Sequence, residues 1–358
     1  MTQFTAHHLR FTVEAETTIE LNAFKGSALR GAWQSHLRTL YCAQTTQADP
    51  LHQAMCPVCY LLSRDTGSGD DRRPYGLMPP LTEQRLFQPG QQLQFGFSLF
   101  GQAIQFLPYL VLAVGQMGQH QGLGKPIHAG GPGDRRAGRQ KGNGQIVNCR
   151  RGQFRLVEIE EINLITGQSH MLLSEGETMV KSPTLPIADT GIAEQSRRLA
   201  TVLAKNGCRY GCRLSLTFLT PTRIIHDKRL VHQPQFKPLF ARLIDRIDAL
   251  RQQYADAPRL PKTERDHLLT LAEEVKLVDD QTHWWDVAGH STRLKQKQRL
   301  GGFVGQAVYE VENSGIWESL LPWLIWGTVT QVGKHTVKGC GWYSIQGENN
   351  AHYHPFNR

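Results

Sequence analysis

Twice along this chain a glycine-rich, basic segment stands between the last helix pattern of a half and its last strand pattern. The first is GLGKPIHAGGPGDRRAGRQKGNGQ (122–145) and the second is VGKHTVKGCGWY (332–343). Upstream of the first, FTAHHLRFTVEAE (4–16) alternates as a strand does. A helix opens at Gly26-Ser27 and runs to about Tyr41, and residues 42–90 lack periodicity and read as a loop-rich insertion. QQLQFGFSLFG (91–101) is a strand, 104–118 a helix with proline in its first turn, and GQFRLVEIEEIN (152–163) the closing strand. The segment 122–145 has too little apolar content to bury a core and is expected to be mobile.

The same order returns downstream. CRLSLTFLTPTRI (212–224) is a strand, and residues 236–254 form an amphipathic helix with Phe236, Phe240, Leu243, Ile244, Ile247 and Leu250 on one face. A helix over about 263–275, strands at HWWDV (283–287) and LGGFVGQAVYEV (300–311), and a short apolar helix over 315–327 follow. Trp342 then begins a last strand. The halves share no useful identity, so order alone carries the inference: an α+β chain of tandem ferredoxin-like domains. The expected division is a first domain over 1–165 with the insertion at about 42–90, a linker region over 166–210, and a second domain over 211–350 containing the glycine loop.

Charge and cysteine use restrict the partner. Forty Lys and Arg against 31 Asp and Glu give a formal charge of +9, which suits a polyanion, because each cation placed on a phosphate releases a condensed counterion. The longest apolar run, FLPYLVLAVGQM (106–117), is too short to span a bilayer. Met1–Arg10 lacks the apolar core of an export signal, and seven cysteines are an odd number. Both point to reduced thiols in a cytoplasmic protein whose acidic partner is nucleic acid rather than membrane.

Glycine lets a backbone approach a phosphate and aim N–H groups at it. In the second loop Gly333, Gly339 and Gly341 are interleaved with Lys334, His335 and Lys338. The loop is neither a Walker phosphate loop, since no Gly-Lys-Ser/Thr ends it, nor a Rossmann loop, since it precedes a strand. Upstream, RLKQKQRLGGFVG (293–305) places Arg293, Lys295, Lys297 and Arg299 at alternate positions, on one side of an extended segment. So regular a row ending in Gly-Gly reads as a nucleic-acid track.

FKGSALRGAWQSHLRTLYC (24–42), CPVC (56–59), FLTPTRI (218–224), LAEEVKLVD (271–279), HSTRLKQKQRLGGFVGQAVYEV (290–311) and VGKHTVKGCGWY, taken in order, resemble the CRISPR repeat-processing endoribonucleases of the RAMP superfamily. The likeness is to the type-six Cas family, in its longer branch with a cysteine-bearing insertion. It implies two ferredoxin-like domains, metal-independent cleavage of CRISPR repeat RNA with no catalytic cofactor, and RNA on the glycine loop. The alternative, from a different class, is a non-catalytic RNA-binding RAMP subunit of a CRISPR effector complex.

Metal-independent cleavage uses the ribose 2′-hydroxyl as nucleophile and needs proton carriers and cations at the phosphate. Histidine suits the proton steps. The resemblance points to the first helix, which offers His36. Its phase there, in one stripe with Leu29, Ala32, Trp33 and Leu40, is also that of a packed residue. His335, His290 and the pair His7/His8 are the other histidine candidates, and Tyr41 is a candidate for orienting or proton transfer. Arg30, Lys334 and Lys338 are candidates for gripping the phosphate. Cys42, Cys56 and Cys59, spaced C-x13-C-x2-C, are thiols with zinc-like spacing. The resembling branch often carries a fourth cysteine before a Pro-Tyr pair; Arg73 stands there, and His52 is the available substitute in a structural zinc site.

Overall fold

The computed structural model describes residues 3–42, 49–63, 72–127, 150–206, 212–291 and 296–346. Strand β1 (Thr5–Ala15) leads into helix α1 (Gly26–Tyr41); β2 (Tyr75–Met78), β3 (Gln92–Phe100), α2 (Leu107–Gln116) and β4 (Phe154–Ile162) complete a β-α-β-β-α-β unit. Its antiparallel sheet runs β2-β3-β1-β4. A strand at Ser169–Leu173 extends the sheet beyond β4, and Ile187–Ala188 pairs with the start of β1.

After helix α3 (Asp189–Asn206), the second unit comprises β5 (Cys212–Thr222), α4 (Phe236–Ala255), α5 (Lys262–Glu273), β6 (Lys276–Trp285), β7 (Gly302–Val311), α6 (Gly315–Thr330) and β8 (Tyr343–Gln346). Its sheet runs β6-β7-β5-β8. Matched first strand to first strand, the two orders are identical, and the tandem ferredoxin-like architecture follows.

Local chemistry explains the main elements. Strand β1 lies between β3 and β4 and is buried on both faces, so its sequence is nearly continuous in buried residues instead of alternating. Helix α1 buries Leu29, Ala32, Trp33, His36 and Leu37, and the Trp33 ring lies 5.0 Å from both Tyr75 and Phe97. Helix α4 buries all six residues of its expected stripe and stops at Asp256, whose φ of +50° suits a small polar side chain. The units share one buried cluster: Phe4 packs 4.9 Å from Trp326, whose indole donates to Asp189 at 2.8 Å.

Three segments differ from the sequence pattern. The insertion contains a helix at Pro50–Met55, a wide helical turn at Cys59–Ser63 and the sheet strand β2. The 166–210 segment carries an edge strand and α3. Strand β6 begins at Lys276, ahead of the strand expected at 283–287, because its Asp279-Asp280-Gln281 stretch lies on an exposed sheet edge and shows no apolar alternation. Most of the first glycine-rich segment (128–149) lies outside the described residues. Among the described residues no helix is long and apolar enough to cross a membrane.

Candidate nucleic-acid interface

The second glycine loop leaves α6 at Gln331 and returns at β8. It is a pre-formed turn. The Lys338 and Cys340 amides both donate to the His335 carbonyl, at 2.8 and 3.3 Å, and the Lys334 amide donates to the Arg223 carbonyl at 3.0 Å. Buried Gln331 sends Nε2 to three carbonyl oxygens, Leu77 at 3.2 Å and Thr336 and Cys340 at 3.0 Å. Gly341 has a φ of +84°, and a Cβ there would stand 2.0 Å from the Val332 oxygen. Gly26, in the first turn of α1, lies so close to the loop that a Cβ would stand 1.9 Å from the Lys338 oxygen. The loop of the second unit therefore rests directly on the first helix of the first.

That contact gathers positive charge. Burial pushes the His335 pKa down to about 4, aided by Lys338, Arg223, Lys334 and Arg30 around it. Burial lowers the Lys338 pKa as well, and Arg30 adds to the effect. Lys334 is exposed, and the buried Nε of Arg30 has no hydrogen-bond partner. The structure thus brings the candidates Arg30, Lys334, His335 and Lys338 together. It adds Arg223, whose Nη1 is tied to the Gly301 oxygen at 3.0 Å. Arg223 carries no periodic signal; only its place in the FLTPTRI stretch marked it.

Beside the loop lies a cavity of about 570 Å³ between the units, lined by Phe24, Lys25, Pro79, Arg85, His283 and Trp285 among others. Lys25 is buried and donates to the Thr82 carbonyl at 2.5 Å. Burial, then Arg85, lowers its pKa, with Glu83 opposing. The basic track folds in part as a hairpin, Ala288–Ser291 with Gln296–Arg299, pairing His290 with Lys297 and Ala288 with Arg299. Lys297 and Arg299 alternate along one strand, and Arg299 is exposed. Arg293 and Lys295 lie outside the described residues.

Other candidates fall elsewhere. His36 is 4% exposed, and its ring stacks on His120 at 6.2 Å. Burial lowers its pKa, with His120 adding to the effect, while Gln116 opposes from close by without completing a hydrogen bond. No loop cation is among the groups that shift its pKa. His36 follows Arg30 by six positions on α1, about 9 Å of rise and roughly one and two-thirds turns. Tyr41 is further along α1, edge-on to Tyr109 at 5.1 Å, with its pKa raised by burial. His7 bonds Glu161 at 2.6 Å, and His8 bonds Ser98 at 2.9 Å with its pKa pushed by burial to about 3. Both are internal struts of the first sheet.

The cysteine set does converge. One ligand atom from each of Cys42, His52, Cys56 and Cys59 lies within 4.8 Å of the others. Cys42 Sγ is 3.5 Å from His52 Nε2 and 3.9 Å from Cys59 Sγ. A tetrahedral ion with bonds of about 2.0–2.3 Å needs ligand edges of about this length, so three thiols and one imidazole fit zinc. Burial and the neighbouring thiols push Cys59 up to about 12, so an ion here would displace protons. The set joins the end of α1 to the insertion, away from the loop, and would be structural.

Comparison with known proteins bears on the fold. A family model described as CRISPR-associated endoribonuclease Cas6 matches residues 216–343, and one described as the AF_1859_N N-terminal domain matches residues 4–185. Among curated proteins none matches the chain. A solved Cas6 product complex aligns with a TM-score of 0.51 and 14% identity, over 95% of this chain and 100% of the other. Thermus thermophilus Cas6 gives 0.51 and 13%, over 97% and 100%. A partial Cas6-RT-Cas1–Cas2 complex gives 0.58 and 13%, over 98% of this chain but 47% of the longer one. At these identities the structures share a fold.

Proposed function

We propose that the chain is a CRISPR-associated endoribonuclease of the Cas6 family, whose model matches residues 216–343, and that it cuts CRISPR precursor RNA within the repeat, without a catalytic metal, at the second glycine loop. The observation that carries this reading is the convergence of Arg30, Arg223, Lys334 and Lys338 on His335, where α1 meets the loop. A scissile phosphate placed there relieves the repulsion among these cations, and their charge stabilises the phosphorane as negative charge builds on it.

The attacking group is the ribose 2′-hydroxyl adjacent to the scissile phosphorus. With its pKa near 4, His335 is neutral at pH 7 and able to accept the hydroxyl proton. Lys338, its pKa lowered, is the donor to the departing 5′-oxygen. One proton is taken and one is given, leaving a 2′,3′-cyclic phosphate and a 5′-hydroxyl. His36 supports the helix that carries Arg30. The cavity at Phe24 and Trp285, with the Lys297–Arg299 strand, is the route for the flanking RNA. The partners are repeat RNA and, after cutting, CRISPR effector subunits in the cytoplasm. The Cys42–His52–Cys56–Cys59 set holds a structural zinc ion.

A second reading, a non-catalytic RNA-binding subunit, is favoured by the burial of His36 and by the strongly lowered His335 pKa. Incubating repeat RNA with protein in excess EDTA, beside RNA carrying a 2′-deoxy at the scissile position, separates the two. Cutting of only the all-ribose RNA supports the enzyme; binding without cutting of either supports the subunit.

A further inference from the structure

The cationic loop has an aromatic neighbour with no part in the chemistry above. Trp284, on β6, is partly exposed, and the exposed ring of His232 lies on it at 4.9 Å between centroids, tilted 44°. The Arg223 guanidinium is 5.8 Å from the Trp284 ring centre. The indole is held in place: Nε1 donates to Asp286 Oδ1 at 3.2 Å. Gly301 leaves the room, since a Cβ there would stand 3.1 Å from Nε1 and 3.0 Å from Asp286 Oδ1. Arg223 belongs to both places. Its carbonyl accepts from the Lys334 amide, and its charge is among those acting on His335. Ring faces and phosphate-binding cations therefore adjoin.

We propose that Trp284 and His232 form a stacking platform for one unpaired base of the RNA, next to the phosphate held at the glycine loop. The proposal rests on the RNA-cleaving reading and adds a base site to it. The only polar donor of Trp284 is spent on Asp286, so the ring offers a π surface and no hydrogen-bonding edge. Such a surface accepts any base, but only one outside a stem, where neighbouring pairs already cover its faces. Arg223 beside the rings supplies the cation for that nucleotide's phosphate.

The test uses full-length protein and repeat RNA blocked by a 2′-deoxy at the scissile position, with an abasic residue placed at each of the flanking positions in turn. One abasic position should weaken binding to the wild-type protein about 10-fold. Trp284→Leu should lose the same factor with intact RNA and show no further loss with that abasic RNA. Trp284→Phe, which keeps a stacking ring, should restore most of the affinity. Wild-type affinity in Trp284→Leu would overturn the platform. So would a uniform loss at every abasic position with a lowered melting temperature, which marks Trp284 as packing only. If the wild-type protein binds no repeat RNA, the RNA reading itself falls. Affinity unchanged by an abasic residue at any position, with cutting of all-ribose RNA intact, removes only this inference.

Discussion

Trp342 donates its indole N–H to the carbonyl oxygen of Leu77 at 2.7 Å, joining the strand after the glycine loop to an edge strand of the first sheet. Gln331 donates to the same oxygen. The loop is therefore shaped by both units, and the site exists only where they meet.

Gln331→Ala should remove the shared donor and leave the Thr336 and Cys340 carbonyls buried without it. A loss of about 1–3 kcal/mol in urea unfolding is expected, together with weaker RNA binding, since the loop backbone is no longer pre-shaped. Trp342→Phe should behave similarly but more mildly, because Gln331 still serves Leu77. Unchanged stability in Gln331→Ala would show that the loop holds its shape alone.

How the halves meet was not readable from the chain. The helix start at Gly26 was legible, but that this glycine receives the Lys338 carbonyl was not, because the contact spans residues far apart in sequence. The buried phase of His36 was legible from Leu29, Ala32 and Trp33. The tandem order of strands was legible too, because β1, β3, β4, β5 and β7 are long and apolar enough to show. The edge strand β6 was not, since six of its ten residues are exposed to solvent. Helix α3 lay in a stretch expected to link the domains, where its polar, partly exposed face hid the pattern. The Cys42–His52 pairing depended on a short turn capped by Asp49, which no periodicity announces.

Acid should weaken the fold partly through His335 and His8. Their folded pKa values, about 4 and about 3, lie below the ordinary 6.5. Between those limits the unfolded chain binds more protons than the folded one. Their contribution is thus complete above about pH 6.5 and is lost as pH falls through their folded values. Urea unfolding at pH 7 and pH 5 should show a smaller drop for His335→Gln than for the wild-type protein. A bound phosphate should raise the His335 pKa, so RNA affinity should increase from pH 7 to pH 5, and the increase should shrink in His335→Gln.

Purified protein should contain about one zinc ion per chain. Cys56→Ser, or prolonged chelation, should lower the melting temperature through the insertion while RNA cutting by the remaining folded protein continues. Metal-free wild-type protein with an unchanged melting temperature would remove the ion from the structure.

The basic track should contribute binding without selectivity. Combining Arg293→Ala, Lys295→Ala and Lys297→Ala should lower the slope of log affinity against log salt by about 0.7 for each single-strand phosphate that the variant no longer neutralises. An unchanged slope would make the row a solvated face.

The most direct test of the central claim is single-turnover cleavage of repeat RNA, in EDTA and with protein in excess, by His335→Gln beside His36→Gln. Glutamine keeps the volume and polarity of either side chain but carries no proton near pH 7. His335→Gln should slow cutting by about 10²–10⁴-fold while repeat-RNA affinity at pH 7 is nearly unchanged, and folded His36→Gln should cut at the wild-type rate. A wild-type rate in His335→Gln, with the loss appearing in His36→Gln instead, would contradict proton transfer at the glycine loop and return it to the first helix.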